Sequence, residues 1–376
     1  MHQGIVLGVD VIFESLGQLL PAPLAQGDIT FNGAINGGFN LTVNTAGVTN
    51  FNGPMGAVTT LASVTTDAGG RVQFGGTGTV TTLSGDNFTG TYVRTTGAQT
   101  YNDTVTLVAH TMLESSNAGN LTFGSTVDGG FDLKLNTAGV TALNAPVGFT
   151  APLMSITTDA QGTTQLNAGT VKTVAAQTFN DPVTLIKDTT LTSTTLGDVT
   201  FNNTLDGGFA LTVNTGGKTV FNNQVGAATA LTSITTDAAG SAQFQDTGPV
   251  AAGATPLVTI KTTGAQTYND QALLASDTMF ASGADLVFNN TIDGAFNLTI
   301  NTAGQTQFND QIGATARLKT ITTDAPGSVR FKDSVGTTVG GVTTYAIKIY
   351  TTGAQAFNDK VILENDATFD TTKDLA

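Results

Sequence analysis

The chain has 376 residues, with 28 acidic against 14 basic side chains, a net charge of −14 and no cysteine or tryptophan. That balance argues against nucleic acid and against an anionic membrane surface as partners, and the lack of cysteine excludes a disulfide scaffold and thiol chemistry. Glycine at 45 residues without a G-X-Y period, beside 40% hydrophobic residues, fits a turn-rich β fold rather than collagen or disorder.

Residues 1–27 stand apart as a cap or connector segment. Within 9–20, apolar side chains at Val11, Ile12, Leu16, Leu19 and Leu20 predict a short amphipathic helix. Ala22 and Ala25 resemble a cleavage site, but no basic stretch precedes them and Asp10 interrupts the apolar run. A cap over an open sheet edge is preferred to a signal peptide. No run of 18 or more apolar residues is present to insert into a membrane as a helix.

From residue 28 the chain repeats. An aromatic or Leu followed by a polar or Gly pair recurs at Phe31, Phe51, Phe74, Tyr101, Phe123, Leu143, Leu166, Phe179, Phe201, Phe221, Phe244, Tyr268, Phe288, Phe308, Phe331 and Phe357. A period of about 20 residues marks a coil-by-coil solenoid. Longer blocks enclose these units, at 28–119, 120–197, 198–284 and 285–376. Each opens on a string like DVTFNNTLDGGFALTVNTGG, passes through TTDA and closes on a stretch like TTGAQTYND.

Inside a unit the period is two. Leu41-Thr42-Val43, Leu211-Thr212-Val213 and Leu298-Thr299-Ile300 alternate apolar and polar, in residue types that favour strands. NGG at Asn36, DGG at Asp128 and Asp206, and NTAG at Asn44, Asn136 and Asn301 supply turns. The predicted fold is all-β, a parallel β-helix (β-solenoid) of about 16 coils, each about 20–24 residues. It is expected to be right-handed, as parallel crossovers are. The recurrent residues should form one interior ladder, with Phe39, Phe131, Phe209 and Phe296 in a second column. The Asn that usually follows the ladder aromatic has two readings: a coil-to-coil amide ladder, or a left-handed turn residue.

Spacing locates the loops. The first step of every block is 20 residues and the second 23, whereas the third is 27, 13, 24 and 26. Stacked coils change length only where residues bulge outward. Surface excursions are therefore predicted at 75–92, 245–256 and 332–344, and mostly lost from the second block. The C-terminal DATFDTTKDLA parallels SDTMFASGADL of the third block and stops just before the next ladder aromatic. It reads as part of a longer array, or as an end covered by a neighbour.

The candidate chemistry is sparse. Acids recur as Asp67, Asp159, Asp237 and Asp324 in TTDA, and as Asp103, Asp181, Asp270 and Asp359 in the YND stretch. Each series recurs once per block, so its members are expected about 19 Å apart, too far for acid–base pairing. No catalytic, cofactor-binding or metal residue is assigned. Weak structural calcium at Asn309-Asp310 or Asn358-Asp359 is the only cofactor reading, and the isolated His2 and His110 do not suggest zinc. The N-x-[ST] sites, such as Asn40 and Asn202, follow from an Asn- and Thr-rich composition.

The strings TTGAQTYND, DGGFALTVNTGG and SITTDAAG resemble the repeats of large bacterial exoproteins of the filamentous haemagglutinin type and of repeat-rich autotransporter adhesins. The resemblance covers residues 28–376. It implies a secreted, right-handed β-helix that serves as an adhesin shaft or cell-surface fibre. The expectation is an extracellular structural solenoid rather than an enzyme, with copies of itself end to end as partners. A second reading is a module whose excursions bind host or matrix glycans; a third, a polysaccharide-active enzyme, needs an acidic cleft.

Overall fold

The computed structural model describes residues 5–15, 27–248, 257–339 and 341–371. Among these residues every regular element is a β-strand. The chain divides into two compact units, Met1–Thr194 and Thr195–Ala376.

In the first unit three parallel sheets surround the core. The longest stacks eight strands: Val11–Ser15, Asn40–Thr45, Ser63–Thr66, Gln99–Tyr101, Leu121–Phe123, Val140–Leu143, Thr163–Leu166 and Val183–Leu185. A second runs through Ile29–Phe31, Val48–Phe51, Arg71–Phe74, Thr104–Leu107 and Val127–Asp128. The third runs through Thr91–Thr95, Thr111–Ser115, Asp132–Thr137, Ser155–Thr158 and Gln177–Phe179. The second unit is built alike, with seven strands in its longest sheet: Ala210–Asn214, Ser233–Thr236, Gln266–Tyr268, Leu286–Phe288, Gln305–Phe308, Ser328–Phe331 and Lys360–Leu363. Pairing is residue on residue, as with Phe31 on Phe51 and Phe51 on Phe74. This is the predicted parallel β-solenoid.

Alternation does the sorting. Leu41 and Val43 are fully buried while Thr42 between them faces outward, and the same holds for Leu298, Thr299 and Ile300. Ring centroids of Phe201, Phe221 and Phe244 lie 5.5 and 5.8 Å apart, close to parallel.

The ladder is not one column, and this corrects the expectation. Phe74 stacks in register on Leu107, while Tyr101 pairs with Thr66 on the neighbouring face. The ring contact therefore turns edge-on at Phe74–Tyr101, with an interplanar angle of 87°. Four turns up from Ile29–Phe31 the sheet reaches Val127–Asp128, whereas the equivalent block-opening strand, Leu121–Phe123, arrives one face earlier. The second unit repeats the shift: Phe201, Phe221, Phe244 and Leu274 share one sheet, while Tyr268, Phe288, Phe308 and Phe331 share the next. A block is thus one third of a turn short of four turns. Eight rungs in one unit and seven in the other agree with the predicted count of about sixteen coils.

Two other expectations change. In the predicted N-terminal helix, Val11–Ser15 is a strand, paired in register from Val11 on Leu41 to Ser15 on Thr45. Val11 and Phe13 also fit a period of two, and the free edge of Asn40–Thr45 supplies backbone partners that an isolated helix lacks. The rest of that prediction, 16–20, lies outside the described residues. The second aromatic column is not interior: Phe39 and Phe209 are each 37% exposed, and Phe131 and Phe296 are partly exposed. The N–H of Phe39 bonds the carbonyl of Gly37 two residues back. This tight bend, with Gly37 at φ +133°, leaves the ring at the corner ahead of the strand.

The Asn question resolves toward coil-to-coil bonding, as an amide ladder in the block-opening coils, whereas Asn102, Asn180, Asn269 and Asn358 of the closing stretches donate to a Thr carbonyl of the rung beneath. Asn52 Nδ2 donates to Asn32 Oδ1 at 2.9 Å, Asn222 to Asn202 at 2.7 Å, and Asn309 to Asn289 at 2.7 Å. Among the described residues Ala118 is the single non-glycine at positive φ. Of the excursions, 75–92 contains an antiparallel hairpin of Thr79–Thr81 with Asn87–Thr89, and 332–344 one of Thr337–Val339 with Val342–Thr344. Most of 245–256 lies outside the described residues. In the second block the chain passes directly from Thr163–Leu166 to Thr170–Thr173.

Truncating Phe221→Ala, fully buried between two rings, should cost about 3–5 kcal/mol. Asp237→Ala, which removes one carboxylate acceptor for the Thr215 amide, should cost no more than about 1–2 kcal/mol. Denaturant midpoints of the two variants check the ranking. Equal shifts would place Phe221 outside the core.

Candidate functional site

Most recurrent polar side chains bond the next rung. In the Asn/Asp-Gly-Gly or Asp-Gly-Ala turns, Asn36, Asp128, Asp206 and Asp293 each accept two successive backbone N–H groups one coil on, such as Thr150 and Ala151 on Asp128 at 2.8 and 3.0 Å. The block-opening residues Asp28, Asn120, Asp198 and Asp285 each accept one. Of the predicted weak calcium ligands, Asn309 belongs to the amide ladder and Asp310 accepts the Gln311 N–H at 2.7 Å. Among the described residues no three or more His, Cys, Asp or Glu side chains cluster. His110 sits on Asp132 at 2.8 Å and edge-on to Phe131; His2 lies outside the described residues.

A buried glutamine clamp, absent from the sequence reading, explains the recurrent AQT. Gln99, Gln177 and Gln266 are fully buried. Each donates Nε2 to a carbonyl six residues earlier, to a Thr hydroxyl, and to a carbonyl of the next rung; for Gln266 these are Ile260, Thr262 and Ala281 at 3.1, 3.2 and 3.0 Å. Tyr101 and Tyr268 complete their clamps by donating O–H to Gln99 and Gln266 Oε1, at 2.9 and 3.1 Å. Burial pushes both phenols well above the usual tyrosine value. In the second block Phe179 stands in place of Tyr, and Gln177 Oε1 is left without a partner.

The two Asp series meet, contrary to the expectation that the acids stand about four coils apart. Pairing of Tyr101 with Thr66 places Asn102 opposite Asp67 and Asp103 next to it; the same register applies at Asp159 with Asp181, Asp237 with Asp270, and Asp324 with Asp359. Spacing within one series along the chain does not contain the register that joins the two. Asp67, Asp159, Asp237 and Asp324 each accept a backbone N–H from the rung beneath, at 3.0–3.2 Å. Asp103, Asp181, Asp270 and Asp359 turn inward, with exposures of 1, 1, 2 and 7%. Burial, reinforced by the Asp181 charge, pushes the Asp159 carboxyl up to about 6. Burial, reinforced by Asp237, pushes Asp270 up to about 7. Asp103, Asp181, Asp237 and Asp359 move upward too, each first by burial.

The surface hollows lie beside the excursions. One of about 280 Å³ is lined by Leu83, Ser84, Glu114, Asn136, Asp159 and Gln161, and another of about 200 Å³ by Asp86, Asn87, Phe88, Met112, Lys134 and Asn136. Tyr92 donates its hydroxyl to Glu114 beneath this hairpin. In the second unit a hollow of about 380 Å³ is bounded by Gln245, Asp246, Ser276, Asp277, Phe296 and Lys319. Both Asp277 oxygens are bonded by Asn297, and both Asp246 oxygens take hydrogen bonds, from Gly248 and Gln224.

Removing one hydroxyl tests the clamp. Tyr101→Phe should destabilise by about 1–2 kcal/mol, because it orphans the buried Gln99 oxygen. Phe179→Tyr should act in the opposite direction. Denaturant midpoints check both, and a neutral Tyr101→Phe would show that the clamp oxygen is satisfied elsewhere.

Compared with protein-family models, curated proteins and solved structures, the chain matches none.

Proposed function

We propose that this protein is a structural, extracellular β-solenoid, a stalk or filament segment of a bacterial surface adhesin or fibre. The observation that carries the reading is the use of its recurrent polar side chains. The turn acids, ladder asparagines and buried glutamines all point along the stack and bond the neighbouring rung. Such a design strengthens a shaft; catalytic groups instead converge on a substrate. The cell-surface setting rests on the resemblance of the repeats to exoprotein adhesins.

End-to-end association of copies belongs to the same reading. Among the described residues the strand Lys360–Leu363 has a parallel partner on one side only, and Val361, Leu363 and Phe369 are 42, 52 and 42% exposed. An unpaired edge with apolar side chains recruits another strand. The hairpin hollows favour the second reading, a glycan- or receptor-binding module, because they combine apolar walls with amides, acids and Lys134.

Negative-stain microscopy and sedimentation at rising concentration test the proposal. Rods that lengthen into chains are the expected result. A strictly monomeric particle would defeat the end-to-end part, and glycan-array binding lost on deletion of 79–89 would favour the module reading.

A further inference from the structure

The buried carboxylate corner recurs with one informative difference. In the second block, Asp181 accepts hydrogen bonds from Thr158 at 2.6 Å and from Thr164 at 2.9 and 2.8 Å, so both its oxygens are engaged. The positions equivalent to Thr164, two residues ahead of the strand end and paired on the same rung, hold Val72, Ala242 and Val329 in the other blocks. There the inward carboxylate keeps buried oxygens without a well-aligned hydrogen bond, at Asp103 Oδ2, Asp270 Oδ2 and both Asp359 oxygens, although the Thr66 and Thr323 hydroxyls lie beside Asp103 and Asp359. A buried carboxylate oxygen without a donor is costly when ionised and inexpensive when protonated.

No cationic side chain relieves these corners. Asp103 faces Asp67, and Arg71 on the rung beneath is exposed. Asp270 faces Asp237 and the buried Tyr268. Asp359 faces Asp324, with Lys360 exposed beside it in the chain. Acids on adjoining rungs are already engaged: Asp28 and Asp128 by backbone N–H groups, Asp285 and Asp293 likewise, and Glu364 by Arg330. Among the described residues no ion pair joins a Lys, Arg or His to the six corner acids.

We infer that in the first, third and fourth blocks the inward Asp, at Asp103, Asp270 and Asp359, binds a proton in the folded state, so that each corner is a proton-binding site that tightens the stack as the pH falls. The proton comes from solvent and returns there on unfolding. Protonation neutralises the buried carboxyl in the blocks that lack the hydroxyl Thr164 supplies to Asp181. Because the folded chain holds protons that the unfolded chain releases, stability falls as pH rises above the ordinary Asp value. The loss is complete once pH passes the folded value, which for Asp270 is about 7.

The experiment is thermal unfolding of the full chain from pH 4 to pH 9, with a chelator present, for wild type and for the triple variant Asp103→Asn, Asp270→Asn, Asp359→Asn. The amide is uncharged at every pH and stands in for the protonated carboxyl. The wild-type midpoint is expected to drop by several degrees from pH 5 to pH 8, and the variant's by less than half as much. General charge repulsion at a net charge of −14 also relaxes on acidification, so the diagnostic is the difference between the two proteins. If the triple variant fails to fold, Val72→Thr with Ala242→Thr and Val329→Thr installs the second-block hydroxyl and should raise the pH 8 midpoint selectively. Equal pH profiles for wild type and variants would overturn the inference. A midpoint that climbs with added calcium and collapses with chelator would overturn it in favour of a bound cation.

Discussion

Every feature of this protein answers to one constraint: parallel strands stacked in register put each residue on its own counterpart, about 4.8 Å away. Any side chain that faces inward therefore meets its own kind or a near relative, rung after rung. Phenylalanine satisfies this by stacking, as at Phe201, Phe221 and Phe244. Asparagine satisfies it by bonding amide to amide, as at Asn289 and Asn309. Aspartate cannot, because like charges repel. The chain resolves that conflict in two ways. Turn acids such as Asp128 rise to meet backbone amides of the next rung, and the inward acids are enclosed by threonine hydroxyls, as Asp181 is.

The same constraint explains which parts were legible in the sequence. Strand identity followed from alternation at Leu41–Val43 and Leu298–Ile300, and the excursions followed from the inconstant third step. The break in the aromatic ladder did not. Tyr101 looks like the next member after Phe74, because local motif and spacing agree, and nothing in the chain marks on which of three faces a rung begins. Register is a long-range property, and here it is set by Thr66 lying beneath Tyr101. The acid pairs were missed for the same reason, since Asp67 and Asp103 lie 36 positions apart in the chain and on adjoining rungs in space.

Other misreadings were local. Phe39 follows the Gly-Gly pair at a distance that alternation alone would turn inward, yet the two-residue turn at Gly37 resets the phase. The N-terminal apolar run allows either a period of 3.6 or of two, and an available strand edge decides for the latter. The glutamine clamp left a signal that could have been read: an invariably spaced Gln two residues before each Tyr or Phe of the closing stretch, at 99, 177, 266 and 355. A long polar side chain at a strand position of inward parity requires buried partners, and the tyrosine hydroxyl two residues on is within reach of it.

The third-of-a-turn deficit in each block bears on how such a chain grows. A duplicated segment normally has to contain a whole number of turns, or its copy lands out of phase with the sheets below. Here the copy lands out of phase by one face and still fits, because Leu121–Phe123 stacks as well on Gln99–Tyr101 as Val48–Phe51 does on Ile29–Phe31. That tolerance requires the three walls of the coil to be interchangeable in width and depth. Within each unit, therefore, whatever a block displays on its surface is turned to a different side in the next. The corner aromatics Phe39 and Phe131 cannot form a single row, and a hairpin inserted in one block has free space above it when the block is copied.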